Sequence, residues 1–291
     1  MWQTPRVRKP ILLSLIAFVG VPLAACSRGG SRPTATATPT PAVAEPGAAG
    51  RRWVAAGIGV FRPSSGTFLL HTTASGGAPD ISVHYGLATD VPVVGDWNGD
   101  GGATVGVFRP GRPYSYFHLR NANTPGPAEV IISFGSPGDI PLAGDWDGDG
   151  IATVGVFRPS TGQFLLRNSH SSGPPDVVIN YGASTDLPVV GDWNADGTTT
   201  VGVYRPGDGF FHLRNANSQG PAEVLVQSGS PGDIPVSGDW NGDRVTTIGV
   251  YRPGVASFLL RNANTPGPPD LVVGFGVKGD LPLSGTWVAP R

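Results

Sequence analysis

The sequence predicts an all-β chain in which a four-stranded unit is repeated five times and closed into a ring. Three observations carry that prediction. Gly95-Asp96-Trp97-Asn98-Gly99-Asp100-Gly101 returns from Gly144, from Gly191 and from Gly238, and ends half-made as Gly285-Thr286-Trp287. The tryptophans stand 49, 47, 47 and 47 residues apart, so one supersecondary unit recurs. Each unit holds four short strand-like runs between turn signals, and none has a helical period. The two ends are also complementary, because the chain opens on a second strand without a first and closes on a first strand without a second.

Taken in order, the runs of the third unit are Leu187 to Trp193, Thr200 to Arg205, Phe210 to Arg214 and Val224 to Gln227. Asp-x-Pro opens each first run (Asp90, Asp139, Asp186, Asp233, Asp280), where a missing N–H does least harm. Asp-Gly and Asn-Gly pairs predict a tight turn into the second run. The third run alternates, with Phe68/Leu70, Phe117/Leu119, Phe164/Leu166, Phe211/Leu213 and Phe258/Leu260 on one face. Four strands in about 47 residues is the size of one propeller blade. Pairing Leu281–Trp287 with Ile58–Phe61 then completes a fifth blade and removes the open edges. Trp53, 44 residues before Trp97, reads as a remnant of the missing copy.

Composition bounds the rest. Of 291 residues, 44 are Gly and 30 Pro, but they recur at fixed places and so punctuate turns. Charged residues make up 14% and the net charge is −1, which implies no nucleic-acid partner. The single cysteine excludes a disulfide framework.

Three segments are expected. In residues 1–25, Arg6, Arg8 and Lys9 precede the apolar run Ile11 to Leu23, the pattern of a signal peptide too short to span a bilayer once mature. Leu23-Ala24-Ala25-Cys26 resembles the lipobox of bacterial lipoproteins, which implies that Cys26 carries lipid and that the partner here is the membrane of an extracytoplasmic envelope. The alternative is a plain secretory signal with a stray cysteine. Residues 26–50, rich in Thr, Pro and Ala, bury too little to fold and read as an extended stalk. Residues 51–291 form the repeat domain.

Phe134-Gly135, ten residues, Asp145-Trp146-Asp147-Gly148-Asp149-Gly150, then Val154-Gly155-Val156 resembles the FG-GAP repeat of integrin-alpha-type propellers. The order repeats from Tyr85-Gly86, Tyr181-Gly182 and Ser228-Gly229, and covers nearly all of 57–287. The resemblance implies that the aspartate loop joins the two inner strands of a blade and holds calcium. This chain departs from it in having Gly-Val-Phe/Tyr-Arg-Pro for Gly-Ala-Pro, and Thr104, Thr153, Thr200 or Thr247 where the ninth loop position is usually aspartate.

Oxygen donors at loop positions one, three and five suit Ca²⁺. They are Asp96, Asn98 and Asp100; Asp145, Asp147 and Asp149; Asp192, Asn194 and Asp196; and Asp239, Asn241 and Asp243. Valine at position twelve separates them from EF-hands, and two or three carboxylates per loop suit affinities of ~10⁻⁴–10⁻³ M. Asx-turns in a tight hairpin explain the same residues without a metal. Loop 145–149, with three aspartates, fits the ion best, and the loop ending in Arg244 fits it least.

Two arginine sets repeat: Arg62, Arg109, Arg158, Arg205 and Arg252, and Arg120, Arg167, Arg214 and Arg261 with His71 in the fifth place. Either ring suits an anionic glycan, but five-fold repetition favours ties to repeat aspartates such as Asp139 and Asp186. The tryptophans read as packing between blades rather than as sugar platforms. The loops 121–127, 215–221 and 262–268 read as exposed, adaptable and suited to ligand contact. No catalytic constellation is present, and non-equivalent acidic residues such as Asp208 are the only enzymatic hook. The expected function is a non-catalytic envelope module that binds glycan or protein; a polysaccharide-active enzyme and a purely structural envelope protein are the alternatives.

Overall fold

A computed structural model describes residues 54–287. The signal segment 1–25, Cys26, the stalk 26–50 and Trp53 lie outside the described residues, as do residues 288–291.

Among the described residues twenty short strands follow one another in chain order. The first three are β1 (Gly57–Arg62), β2 (Thr67–Leu70) and β3 (Ile81–His84). Then come β4 (Val91–Gly95), β5 (Thr104–Arg109), β6 (Tyr116–Leu119) and β7 (Val130–Ser133). The third group is β8 (Ile140–Gly144), β9 (Thr153–Arg158), β10 (Gln163–Leu166) and β11 (Val177–Asn180). The fourth is β12 (Leu187–Gly191), β13 (Thr200–Arg205), β14 (Phe210–Leu213) and β15 (Val224–Gln227). Last are β16 (Ile234–Gly238), β17 (Thr247–Arg252), β18 (Ser257–Leu260), β19 (Leu271–Gly274) and β20 (Leu281–Gly285).

They form five antiparallel four-stranded sheets, the blades of a five-bladed β-propeller. Blade I runs β20-β1-β2-β3, and blades II to V start at β4, β8, β12 and β16. β20 pairs with β1 in the register Gly57↔Gly285 through Phe61↔Leu281, the closure expected from the two incomplete ends. The first strand of each blade lines a central channel, where Pro92, Pro141, Pro188, Pro235 and Pro282 face the opening. A proline on that inner edge leaves no N–H to recruit another strand.

The apolar residues do not form one core. They form five clusters, each straddling a seam between neighbouring blades. In one of them Trp97, Phe117 and Phe134 of blade II pack with Val154, Val156 and Leu165 of blade III. The second strand of each blade is buried on both faces, so its sequence is an almost unbroken apolar run. The glycine within it is a close-approach residue. A Cβ at Gly155 would lie 2.8 Å from Leu166 Cδ2 and 3.2 Å from the Trp146 ring.

A ring of main-chain bonds joins the seams. Ala152 N donates to Asp96 O at 2.8 Å, Thr199 N to Asp145 O at 2.7 Å and Thr246 N to Asp192 O at 2.7 Å. Ala56 N to Asp239 O at 2.6 Å and Ala103 N to Thr286 O at 2.8 Å complete the circle. The fold thus closes twice, once within blade I and once around the ring of blades.

Candidate functional site

Four aspartate loops join first to second strands within blades II to V. The tight turn expected there is a longer loop: the ladder stops at the pair Gly95↔Thr104, leaving residues 96–103 outside it. The first aspartate folds that loop. Asp145 Oδ1 accepts the N–H of Gly148 at 2.8 Å and of Asp149 at 3.1 Å, and Oδ2 accepts that of Gly150 at 2.8 Å. Burial raises the Asp145 carboxyl above the ordinary carboxylate range, against the pull of these N–H groups, and the neighbouring Asp149 charge adds to the rise. Asp96 is shifted the same way, again by burial first.

The four loops differ at position three. Asn98 Nδ2 donates to Asp100 Oδ2 at 3.0 Å, Asn194 to Asp196 at 2.9 Å and Asn241 to Asp243 at 2.9 Å. In those loops an amide N–H supplies the positive end that a pair of oxygens needs. The bond from Asn194 holds the Asp196 carboxyl below its usual value. Loop 145–149 has no such donor, and oxygens of Asp145, Asp147 and Asp149 lie within 4.8 Å of one another. Its all-oxygen donor set fits a hard divalent cation; the other three fit one less well.

The first arginine set is structural. Arg158 Nε and Nη2 reach Asp139 at 2.9 and 2.8 Å, and Arg205 reaches Asp186 at 3.1 and 3.0 Å. Arg62–Asp280, Arg109–Asp90 and Arg252–Asp233 repeat the fork. Each of these aspartates also caps its own turn, as Asp186 does by accepting Ala183 N at 3.0 Å. The second set is buried and holds the loop between the third and fourth strands of its blade. Arg214 bonds Glu223 at 2.8 Å, Ser218 Oγ at 3.1 Å and the carbonyl of Pro221. His71, the fifth member, lies 3.6 Å from Asp80.

Loops 121–127, 215–221 and 262–268 are mostly exposed, as expected, and these bonds tie them to the repeat. Asn123 is buried and donates to Ala103 O at 3.0 Å, while Asn217 and Asn264 make the same bond to Thr199 and Thr246. Among the described residues the tryptophans, Trp97, Trp146, Trp193, Trp240 and Trp287, are 3% to 6% exposed and so offer no stacking face. Trp146 is wedged beside Gly144, where a Cβ would sit 2.8 Å from the ring and 2.5 Å from Thr199 of the next blade. Asp208 lies in the β13–β14 turn, its carboxylate accepting Phe210 N at 3.0 Å.

Sequence reasoning missed the seams as sites. Two equivalent grooves open there, of about 450 Å³ between blades II and III and about 460 Å³ between blades V and I. Phe134 and Leu165 line the first, and Phe275 and Leu69 the second, beside Arg158 and Arg62 respectively. At the other three seams Tyr85, Tyr181 or Ser228 takes the phenylalanine's place. Burial pushes the Tyr85 and Tyr181 hydroxyls up to about 12. A Phe-Gly pair lines both grooves, at Phe134-Gly135 and Phe275-Gly276, and that pair is visible in the sequence. The central channel, about 370 Å³, is walled mainly by proline and valine, and its Ser237 and Ser284 hydroxyls are bonded to Val190 O and Ser237 O.

No protein-family model and no curated protein sequence matches the chain. Among solved structures it is similar to a lectin of Agrocybe aegerita described as specifically recognising non-reducing terminal N-acetylglucosamine. That match has 13% identity and a TM-score of 0.38, and covers 76% of this chain and 77% of the lectin.

Proposed function

We propose that the chain is a non-catalytic binding or adhesion module, held at the bacterial cell envelope by a lipid on Cys26, whose ligand is a glycan or a protein surface. The observation that carries this reading is the pair of equivalent seam grooves on a scaffold whose repeated charges are spent on holding the repeat. Grooves of this size, part apolar and part polar, suit a small ligand or one residue of a larger one. The repeat arginines are paired with carboxylates and the net charge is −1, so those arginines are not offered to a polyanion.

Kinship with FG-GAP repeats is part of the proposal and rests on the aspartate loop and its spacing. With it comes calcium as a stabiliser of the scaffold, held by Asp145, Asp147 and Asp149. Bound there, the ion would neutralise clustered carboxylates and stiffen the loop that carries the Asp145 carbonyl to the next blade. The Asn98, Asn194 and Asn241 loops stand without it.

Saturable binding in a glycan-array and cell-surface-protein screen is the expected result. No ligand from either class at adequate concentration, or turnover of a polysaccharide abolished by one unrepeated carboxylate, would overturn the proposal. Lipidation is tested separately: the full chain should partition into the membrane fraction of a bacterial host, and Cys26→Ala should release it.

A further inference from the structure

The 49-residue interval between Trp97 and Trp146 is two residues longer than the others. The structure shows where those two residues go. β5 ends at Arg109 and β6 begins at Tyr116, whereas β9 ends at Arg158 and β10 begins at Gln163. The longer turn of blade II carries Tyr114, 60% exposed, onto the rim of the groove between blades II and III. The equivalent rim position of the groove between blades V and I is Val255.

The two grooves match in volume and in apolar floor but not in chemistry. The first is lined by Tyr114, Ser133, Ser136 and Ser172; the second has no hydroxyl among its lining residues. Two of these hydroxyls have their acceptor side engaged. Ser172 Oγ accepts Ser133 N across the seam at 2.8 Å, and Ser136 Oγ accepts Arg158 Nη2 at 3.4 Å. Each keeps its own O–H to donate. Arg158 is neutralised by Asp139 at 2.8 Å, so the groove carries no uncompensated charge.

We infer that the groove between blades II and III is a site for an uncharged pyranose, and that its equivalent between blades V and I is not. A pyranose has one face of C–H groups and a rim of hydroxyls and ring oxygen. The first suits the Tyr114 ring and the second suits serine O–H donors beside an apolar floor. The inference rests on the binding reading proposed above and assigns that reading a single place and ligand class.

The test is ligand-detected NMR and calorimetric titration of the full chain with the methyl pyranosides of glucose, galactose, mannose and N-acetylglucosamine. Binding of at least one is expected. Tyr114→Ala should weaken it by about tenfold with an unchanged melting temperature, since the ring is exposed. Val255→Ala should leave it unchanged. Binding that ignores Tyr114→Ala, or that falls with Val255→Ala, overturns this site while leaving a glycan-binding module intact. No pyranoside binding in a chain that binds a protein ligand overturns the ligand class, and no ligand of either kind overturns the proposed function itself.

Discussion

Arg205 and Asp186 show how single side chains hold a blade whose sequence is short of charge. The carboxylate of Asp186 is fully buried, while the arginine side chain is 40% exposed. Loss of the two partners is therefore unequal. Arg205→Ala leaves a buried carboxylate with only the Ala183 N–H, and should cost about 2–3 kcal/mol in urea denaturation. Asp186→Asn keeps an acceptor for that N–H and leaves an arginine that water can reach, and should cost about 1 kcal/mol. Equal losses would mean that the fork is not what stabilises the strand end. Asp147 raises a different question. Asp147→Asn turns loop 145–149 into the type already present at Asn98, Asn194 and Asn241. It should abolish any calcium-induced rise in melting temperature and leave the chelated protein as stable as before. A calcium shift that survives the substitution would remove this loop from the account. The pH dependence has a definite sign. The folded Asp145 and Asp96 carboxyls lie above their unfolded values, so the folded chain binds more protons in the window just above the ordinary carboxylate pKa. Their contribution to stability accordingly falls as pH rises through that window, and a bound cation at Asp145 would offset it.

At the scale of the element, the aspartate loop is a backbone shape that the sequence supplies unevenly. Its fourth and sixth positions need a left-handed backbone, met by Gly148 at φ 77° and Gly150 at φ 89°. Blade IV has Ala195 at φ 61° and blade V has Arg244 at φ 78° in the corresponding places. A side chain there costs about 1 kcal/mol against glycine. Ala195→Gly and Arg244→Gly should therefore each stabilise the chain by about 1 kcal/mol, read as a shift of the denaturation midpoint. If both lower it, side-chain contacts outweigh backbone strain at those positions. The departure at Arg244 is visible in sequence as a broken motif. Its strain is not, because only the folded loop fixes φ.

At the scale of the molecule, stability comes from closure. Each core cluster needs the next blade, so no blade can bury its apolar face alone. β1 is an inner strand only because β20 lies beside it. A chain ending at Asp280 would expose β1 as a long apolar edge beside the channel, an invitation to pair with another copy. Such a truncation should lose the cooperative melt and elute as soluble oligomers or aggregate in size-exclusion chromatography. A monomer that melts like the full chain would show that closure by β20 is dispensable. The second arginine set belongs to this scale as well, since the loops it braces carry Asn123, Asn217 and Asn264 to the strand starts of their own blades.

The sequence by itself determined the number of blades, the strands within each and the closing pair, and it pointed the repeat arginines at repeat aspartates. All of these follow from spacing and alternation, which a repeat writes several times over. Only the tertiary structure decided that the Asn-Ala-Asn loops are tied down and that the seams between blades II and III and between blades V and I open into grooves. It also decided that the two additional residues of blade II bring Tyr114 to one of those grooves. Seams are made by side chains from different repeats, as Ser133 and Ser172 are, 39 residues apart, or by side chains from the two ends of the chain. A pattern read along one repeat has no term for what the neighbouring repeat will place against it.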